Sequence, residues 1–276
     1  MITVKNLHKK FKGFCALNGI DLHVKKGEIY GFIGHNGAGK STTMNILAGL
    51  SRPTGGTCLV NGKDVTTIKH ASDLHIGYLP EDPKFYPWMT AAETLHYLGN
   101  STGHTVSKAR VEEVLGLIGL SDTQHRRVGG FSRGMKQRLG IGAALIHDPE
   151  LLILDEPSSA LDPQGRSDVL RLIRELKQMG KTVFFSTHIL GDVERICDTV
   201  GMIASGSMVL EKPLTVIRKE NMLPIYDVTL EECCTQSIVQ QLQQLNGVTK
   251  AELMDETLSV TVGDTAEASR QIMRFL

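Results

Sequence analysis

Gly34-His35-Asn36-Gly37-Ala38-Gly39-Lys40-Ser41 is a complete G-x-x-x-x-G-K-[ST] loop, and the fold follows from it. In front of it, Glu28-Ile29-Tyr30-Gly31-Phe32-Ile33 reads as a buried strand. Behind it, Thr42-Thr43-Met44-Asn45-Ile46-Leu47-Ala48 reads as the start of a helix. Strand, loop and helix in that order are what the motif needs in order to bind phosphate. Gly34, Gly37 and Gly39 let the backbone turn so that successive N–H groups face one concave anion site, and the helix N-terminus adds partial positive charge. Lys40 brings a point charge to the outer phosphates, and the Ser41 hydroxyl is placed for the magnesium ion that accompanies ATP. The expected cradle runs from Gly34 through His35, Asn36, Ala38 and Ser41 to Thr42.

Bulk properties narrow the setting. The chain has 276 residues, enough for one large domain and a small one, and 41% of them are hydrophobic. Thirty Lys and Arg balance thirty Asp and Glu, so net charge proposes neither nucleic acid nor an anionic membrane surface as partner. No apolar run is long enough to cross a bilayer, and the N-terminus lacks the order of a secretory signal, so the expected location is the cytoplasm. The five cysteines, Cys15, Cys58, Cys197, Cys233 and Cys234, form no Cys-x-x-Cys and point to neither a disulfide framework nor a zinc site.

Outward from the loop, strands are expected at 2–7, 20–24, 28–33, 57–60 and 75–79, with Asn61-Gly62 as a turn. Helical spacing dominates 91–147, where Val111, Val114, Leu115 and Ile118 recur and Gly119 is a terminator. Strand and helix then alternate: 151–154, 167–179, 182–186 and 191–197. That alternation implies a parallel sheet with helices packed on it. Pro224 marks a boundary into a small β-α-β-β-α unit over 224–276, with a strand at 225–230, a helix at 235–245, two strands across 248–262 and a last helix at 266–275.

A second segment completes the chemistry. Leu151-Leu152-Ile153-Leu154-Asp155-Glu156-Pro157 is an apolar strand ending in two carboxylates. Asp155 is placed for the magnesium shell, and Glu156 is left free to orient and polarise an attacking water. Between Lys40 and Asp155 lies room for a large helical insertion.

With both motifs in view, residues 1–215 resemble the ATP-binding subunit of an ATP-binding cassette (ABC) transporter. Phe131-Ser132-Arg133-Gly134-Met135-Lys136-Gln137-Arg138 stands where that family has its signature, usually Leu-Ser-Gly-Gly-Gln. Ser158-Ser159-Ala160-Leu161-Asp162 matches its D-loop, and Ser186-Thr187-His188 its switch histidine. The resemblance implies an α/β P-loop NTPase fold: a RecA-like parallel-sheet core, an antiparallel β subdomain and a helical subdomain near 83–147, together spanning 1–218, with a small C-terminal α+β appendage. It also implies that Phe11 stacks on adenine and that Lys40, Glu156 and His188 are catalytic. In the family two cassettes pair head to tail, so each ATP would lie between the loop of one subunit and Ser132 and Gly134 of the other, with Asp162 nearby.

Two departures stand out. Arg133 and Met135 replace a glycine and the glutamine of the usual signature, so only Ser132 and Gly134 carry over. Glu81, in Gly77-Tyr78-Leu79-Pro80-Glu81-Asp82, replaces a glutamine that touches magnesium and senses the membrane subunit. Glutamate is itself a good magnesium ligand. These phrases and the C-terminal appendage are similar to ATPase subunits of ABC-2 type exporters for drugs, peptide antibiotics or sodium. That implies a separate permease, a position on the inner face of the membrane, and a helix docking beside the Glu81 loop, where Phe85, Tyr86, Trp88 and Met89 suit it or serve the core. Two other readings stand beside this one: a soluble ABC-type ATPase acting on a non-transport partner, and a nucleotide-dependent regulatory module. The single cassette and neutral charge weigh against the first, and Glu156 with His188 against the second.

Overall fold

Around the phosphate loop, two sheets and their helices build Met1–Leu214, and Thr215–Leu276 forms a second unit. The computed structural model describes residues 1–101, 105–221, 225–229, 236–245, 248–254 and 257–262.

The first sheet is antiparallel: β1 (Ile2–Phe11), β2 (Phe14–Val24), β4 (Gly55–Val60) and β5 (Lys63–Asp64), in the order β2-β1-β4-β5. Ile2 and Val4 are buried at even positions and Leu7 at an odd one. A register shift lies between Val4 and Leu7, with Asn6 at φ 48, and resets the phase so that both halves of β1 bury the same face. Both strands of this hairpin run longer than their apolar patterns, 2–7 and 20–24, suggest. Paired backbone carries polar residues out to Phe11 and Phe14, and Lys12 and Gly13 turn between them at φ 29 and 90.

The second sheet carries the site. It comprises β3 (Ile29–Ile33), β6 (Ile76–Leu79), β7 (Leu151–Leu154), β8 (Thr182–Thr187), β9 (Thr199–Ala204) and β10 (Ser207–Pro213), in the order β10-β9-β3-β8-β7-β6. All neighbours are parallel except the β9–β10 edge pair. Every residue of β3, β7 and β8 is buried, as befits central strands covered on both faces. Tyr30 and Phe32 pack against Phe184 with ring centroids 5.2 and 5.5 Å apart.

Helices α1 (Lys40–Leu47), α2 (Ala91–Asn100), α3 (Lys108–Leu117), α4 (Arg133–Leu145), α5 (Pro163–Gln178) and α6 (Leu190–Ile196) complete this unit. Thr90 and Glu93 form a reciprocal capping box on α2, and Gly119, at φ 65, ends the turn after α3. Helix α5 begins four residues before the expected 167, because Pro163 occupies its first turn, where a missing N–H costs nothing.

In the second unit, α7 (Leu214–Asn221) is followed by β11 (Ile225–Thr229), α8 (Gln236–Gln243), β12 (Val248–Met254) and β13 (Thr257–Val262). The strands form an antiparallel sheet in the order β11-β13-β12. Leu242 of α8 is buried with Ala251, Leu258, Val260 and Val262, one alternating face of the sheet. The boundary residue Pro224, Cys233, Cys234 and the expected helix at 266–275 lie outside the described residues.

Candidate active site

The loop between β3 and α1 folds onto itself before it meets anything else. Gly39 sits at φ 113, where an added Cβ would come 2.8 Å from Leu17 Cδ2 and 3.0 Å from the Ala16 oxygen. Gly34 allows a different closeness, since a Cβ there would lie 2.6 Å from the Ile203 oxygen. Lys40, only 6% exposed, donates from Nζ to the Gly34 oxygen at 2.7 Å and the His35 oxygen at 3.3 Å. The same Nζ lies 3.2 Å from Glu156 Oε1, whose side chain is equally buried.

The end of β7 supplies the carboxylates. Ser186 Oγ donates to Asp155 Oδ1 at 2.6 Å and accepts the Glu156 N–H at 2.9 Å. Ser41 also hydrogen-bonds Asp155, so the loop hydroxyl and the strand-end carboxylate meet. Burial pushes the Asp155 carboxyl above its ordinary range. The hydrogen bonds from Ser186 and Ser41 and the Lys40 charge oppose that rise, and neighbouring Glu156 adds to it. Glu156 holds φ 48, a left-handed conformation that costs a non-glycine residue about 1–3 kcal/mol. His188 Nδ1 stands 2.9 Å from Glu156 Oε2. A carboxylate oxygen accepts from a ring N–H, so this pair links the histidine directly to Glu156. Lys40, Glu156 and His188 thus form one connected line.

A cleft of about 500 Å³ opens over this line, and its walls include Asn36, Gly37, Gly39, Lys40, Ser41, Thr42, Glu81, Glu156 and His188. Ser159 of the D-loop match also lines it, as do Phe14 and Ala16, which were not legible as site residues in the sequence. Gly34, His35, Ala38 and Asp155 support the cleft without lining it, Ala38 and Asp155 being buried behind it.

Of the two aromatic rings at the hairpin end, Phe14 lines the cleft, and Phe11, its partner across the turn, is not among the lining residues. The Phe11 ring instead has Lys9 Nζ 4.8 Å from its centroid.

Ser132, Gly134 and Asp162 do not line this cleft. Ser132 caps α4, its Oγ accepting the Met135 N–H at 3.2 Å, and it is exposed. A Cβ on Gly134 would find only Gly165 Cα, 3.8 Å away, and a Cβ on Gly165 would lie 2.8 Å from Asp162 Oδ1. The starts of α4 and α5 therefore share one surface.

A glycine loop heading α1, a lysine inside it and an acid pair at the end of a parallel strand define a phosphate-loop ATPase. The ABC transporter family matches residues 17–159, and the chain belongs to it. Over 222 residues it is 40% identical to the bacitracin transport ATP-binding protein BcrA of Enterococcus faecalis, covering 80% of this chain and 72% of that one. It is 38% identical over 211 residues to the linearmycin resistance ATP-binding protein LnrL of Bacillus subtilis (strain 168), covering 76% and 68%. Among solved structures, the dimeric post-hydrolysis state of the ATP-binding cassette MJ0796 bound to ADP and Pi superposes with a TM-score of 0.70 at 26% identity, covering 78% of this chain and 99% of that one. The chain is an ATP-binding and hydrolysing cassette with the α/β fold of that family.

Proposed function

We propose that this ATPase powers an exporter, closing on ATP as a dimer with a second cassette and thereby driving a separate transmembrane permease. The connected line Lys40–Glu156–His188 carries the hydrolytic part of this reading. The bacitracin and linearmycin relatives, together with the phrases around Glu81 and Ser132, support export.

In this reading the loop from Gly34 to Thr42 holds the phosphates of ATP, with Phe11 at the adenine as the family resemblance implies and Phe14 on the cleft wall. A water attacks the γ-phosphorus, Glu156 Oε takes its proton, and the bond to the β-phosphate oxygen breaks to leave ADP and phosphate. Lys40 offsets charge on the outer phosphates, and His188 orients the water and the γ-phosphate from the other side of Glu156. Magnesium fits the oxygen donors present: the Ser41 hydroxyl and Asp155 carboxylate already meet, and Glu81 faces the same cleft. When bound there, the ion neutralises phosphate charge. Ser132 and Gly134 complete the site of a second subunit, with Asp162 beside them.

The permease is assigned to the helical segment. Tyr86, Trp88 and Tyr97 are exposed, and the Tyr86 ring contacts both others, 5.0 Å from Trp88 and 5.8 Å from Tyr97. Tyr97 lines a groove of about 800 Å³ together with Met89, Glu93, His96 and Lys108. Among the described residues no helix is long and apolar enough to cross a membrane. Attachment to the inner face of the membrane accordingly comes through the permease.

Glu156→Gln tests the core of the proposal. Mg-ATP binding is expected to persist while turnover falls by about a thousandfold, within the range for loss of a general base. Turnover at the parental rate would remove Glu156 from its role.

A further inference from the structure

The segments that carry Glu156 and His188 run side by side, and their side-chain links do not end at the cleft. Ser186 joins Asp155 and the Glu156 N–H, and His188 joins Glu156. Beyond them, Ser158 Oγ donates to Asp192 Oδ2 at 2.5 Å. Arg166 closes on the other oxygen, with Nε and Nη2 at 2.6 and 2.5 Å from Asp192 Oδ1. Asp192 is completely buried and Ser158 is 2% exposed, and neither lines the cleft.

A carboxylate is not buried at random. Taking it out of water costs several kcal/mol, so a pair of this kind adds little net stability and is better explained by the geometry it fixes. The piece it fixes is a strained one. Glu156 and Ala160 both hold left-handed φ, 48 and 51, and Ser158 lies midway between them. Two non-glycine residues kept in that region need surroundings that over-determine them. Asp192 supplies this from the first turn of α6, the helix that follows His188. Arg166 supplies it from the first turn of α5, where its N–H donates to the Asp162 oxygen at 2.9 Å.

We infer that Asp192 is a positioning residue for hydrolysis: through Ser158 and Arg166 it locks the strained Glu156–Ala160 loop to the helix behind His188. The base, the histidine and the Asp162 end of the loop then shift together rather than separately. This rests on the roles given above to Glu156 and His188.

The test uses the full chain. In Asp192→Asn and in Ser158→Ala, kcat is expected to fall about tenfold or more while KM for Mg-ATP stays within about twofold, because misplacing a held group by about 1 Å costs rate rather than uniform binding. The double variant is expected to be no slower than the slower single one, since both cut one link. Arg166→Lys, which keeps charge but loses the fork, should show the same split in smaller measure, and it serves with Ser158→Ala if Asp192→Asn does not fold. Parental kcat in the folded variants, a loss confined to KM, or losses that multiply in the double variant would overturn the assignment. Glu156→Gln is run alongside. Parental turnover there takes down the base assignment and this inference with it. Loss there combined with parental turnover in Asp192→Asn and Ser158→Ala takes down the inference alone.

Discussion

Lys40 and Ser132 both stand at the N-terminus of a helix, and their surroundings differ in kind. Around Lys40 the charged side chains are answered within the chain: Nζ by two loop carbonyls and Glu156, Asp155 by Ser186 and Ser41, Glu156 by His188. Around Ser132 the chain stops short. The Ser132 oxygen uses a lone pair on the Met135 N–H and its own hydrogen is left over, while Gly134 meets almost nothing. A half-site that a chain finishes by itself is dense and internally bonded. The Ser132 end of α4 has few internal bonds, as expected of a surface that a second cassette would complete under the proposed function.

That contrast breaks first at Lys40. Lys40→Ala leaves Glu156 buried without its cation, a loss of about 3–5 kcal/mol in comparable pairs, and Mg-ATP affinity is expected to fall by at least about a hundredfold in a calorimetric titration. Ser132→Arg should leave Mg-ATP binding to the single subunit within about twofold and weaken ATP-dependent association by about tenfold or more, because the bulk and charge enter an interface and not the cleft. Parallel nucleotide titrations and sedimentation read the two effects separately.

The two glycines sharpen the comparison in folding terms. Gly39→Ala puts a methyl group at φ 113 against Leu17 and Ala16, and about 1–3 kcal/mol of stability should be lost in chemical denaturation. Gly134→Ala sits inside α4 with open space around it, so stability should rise by up to about 1 kcal/mol while ATP-dependent association weakens. The smallest effect is expected from deleting 224–276. Unit 1, Met1–Leu214, contains the whole cleft, and the ATPase rate should change by less than about twofold.

The dense half was readable in the sequence because its signals are local: three glycines, a lysine and a hydroxyl in eight residues, then a wholly apolar strand ending in Asp155 and Glu156. The bare half was readable only by resemblance, since Ser132 and Gly134 alone announce no more than a helix start. What escaped depends on tertiary placement. Phe14, which the sequence did not single out, lines the cleft from the end of the β1–β2 hairpin. Strands β9 and β10 were passed over although Ser205-Gly206 turns between them at φ 48 and 78, because β10 is an edge whose polar and apolar residues barely alternate. Asp192 gave no signal at all. It reads as an ordinary acid in a helix's first turn until the fold brings it to Ser158, 34 residues away in sequence.

The central claim is that the site is finished by a second chain, and the most direct test is the solution mass of Glu156→Gln by light scattering with and without Mg-ATP. The account predicts a monomer without nucleotide, a dimer with it, and a monomer under both conditions once Ser132→Arg is added. A Glu156→Gln monomer that binds ATP without pairing, or a dimer that forms undiminished with Arg at position 132, would contradict it.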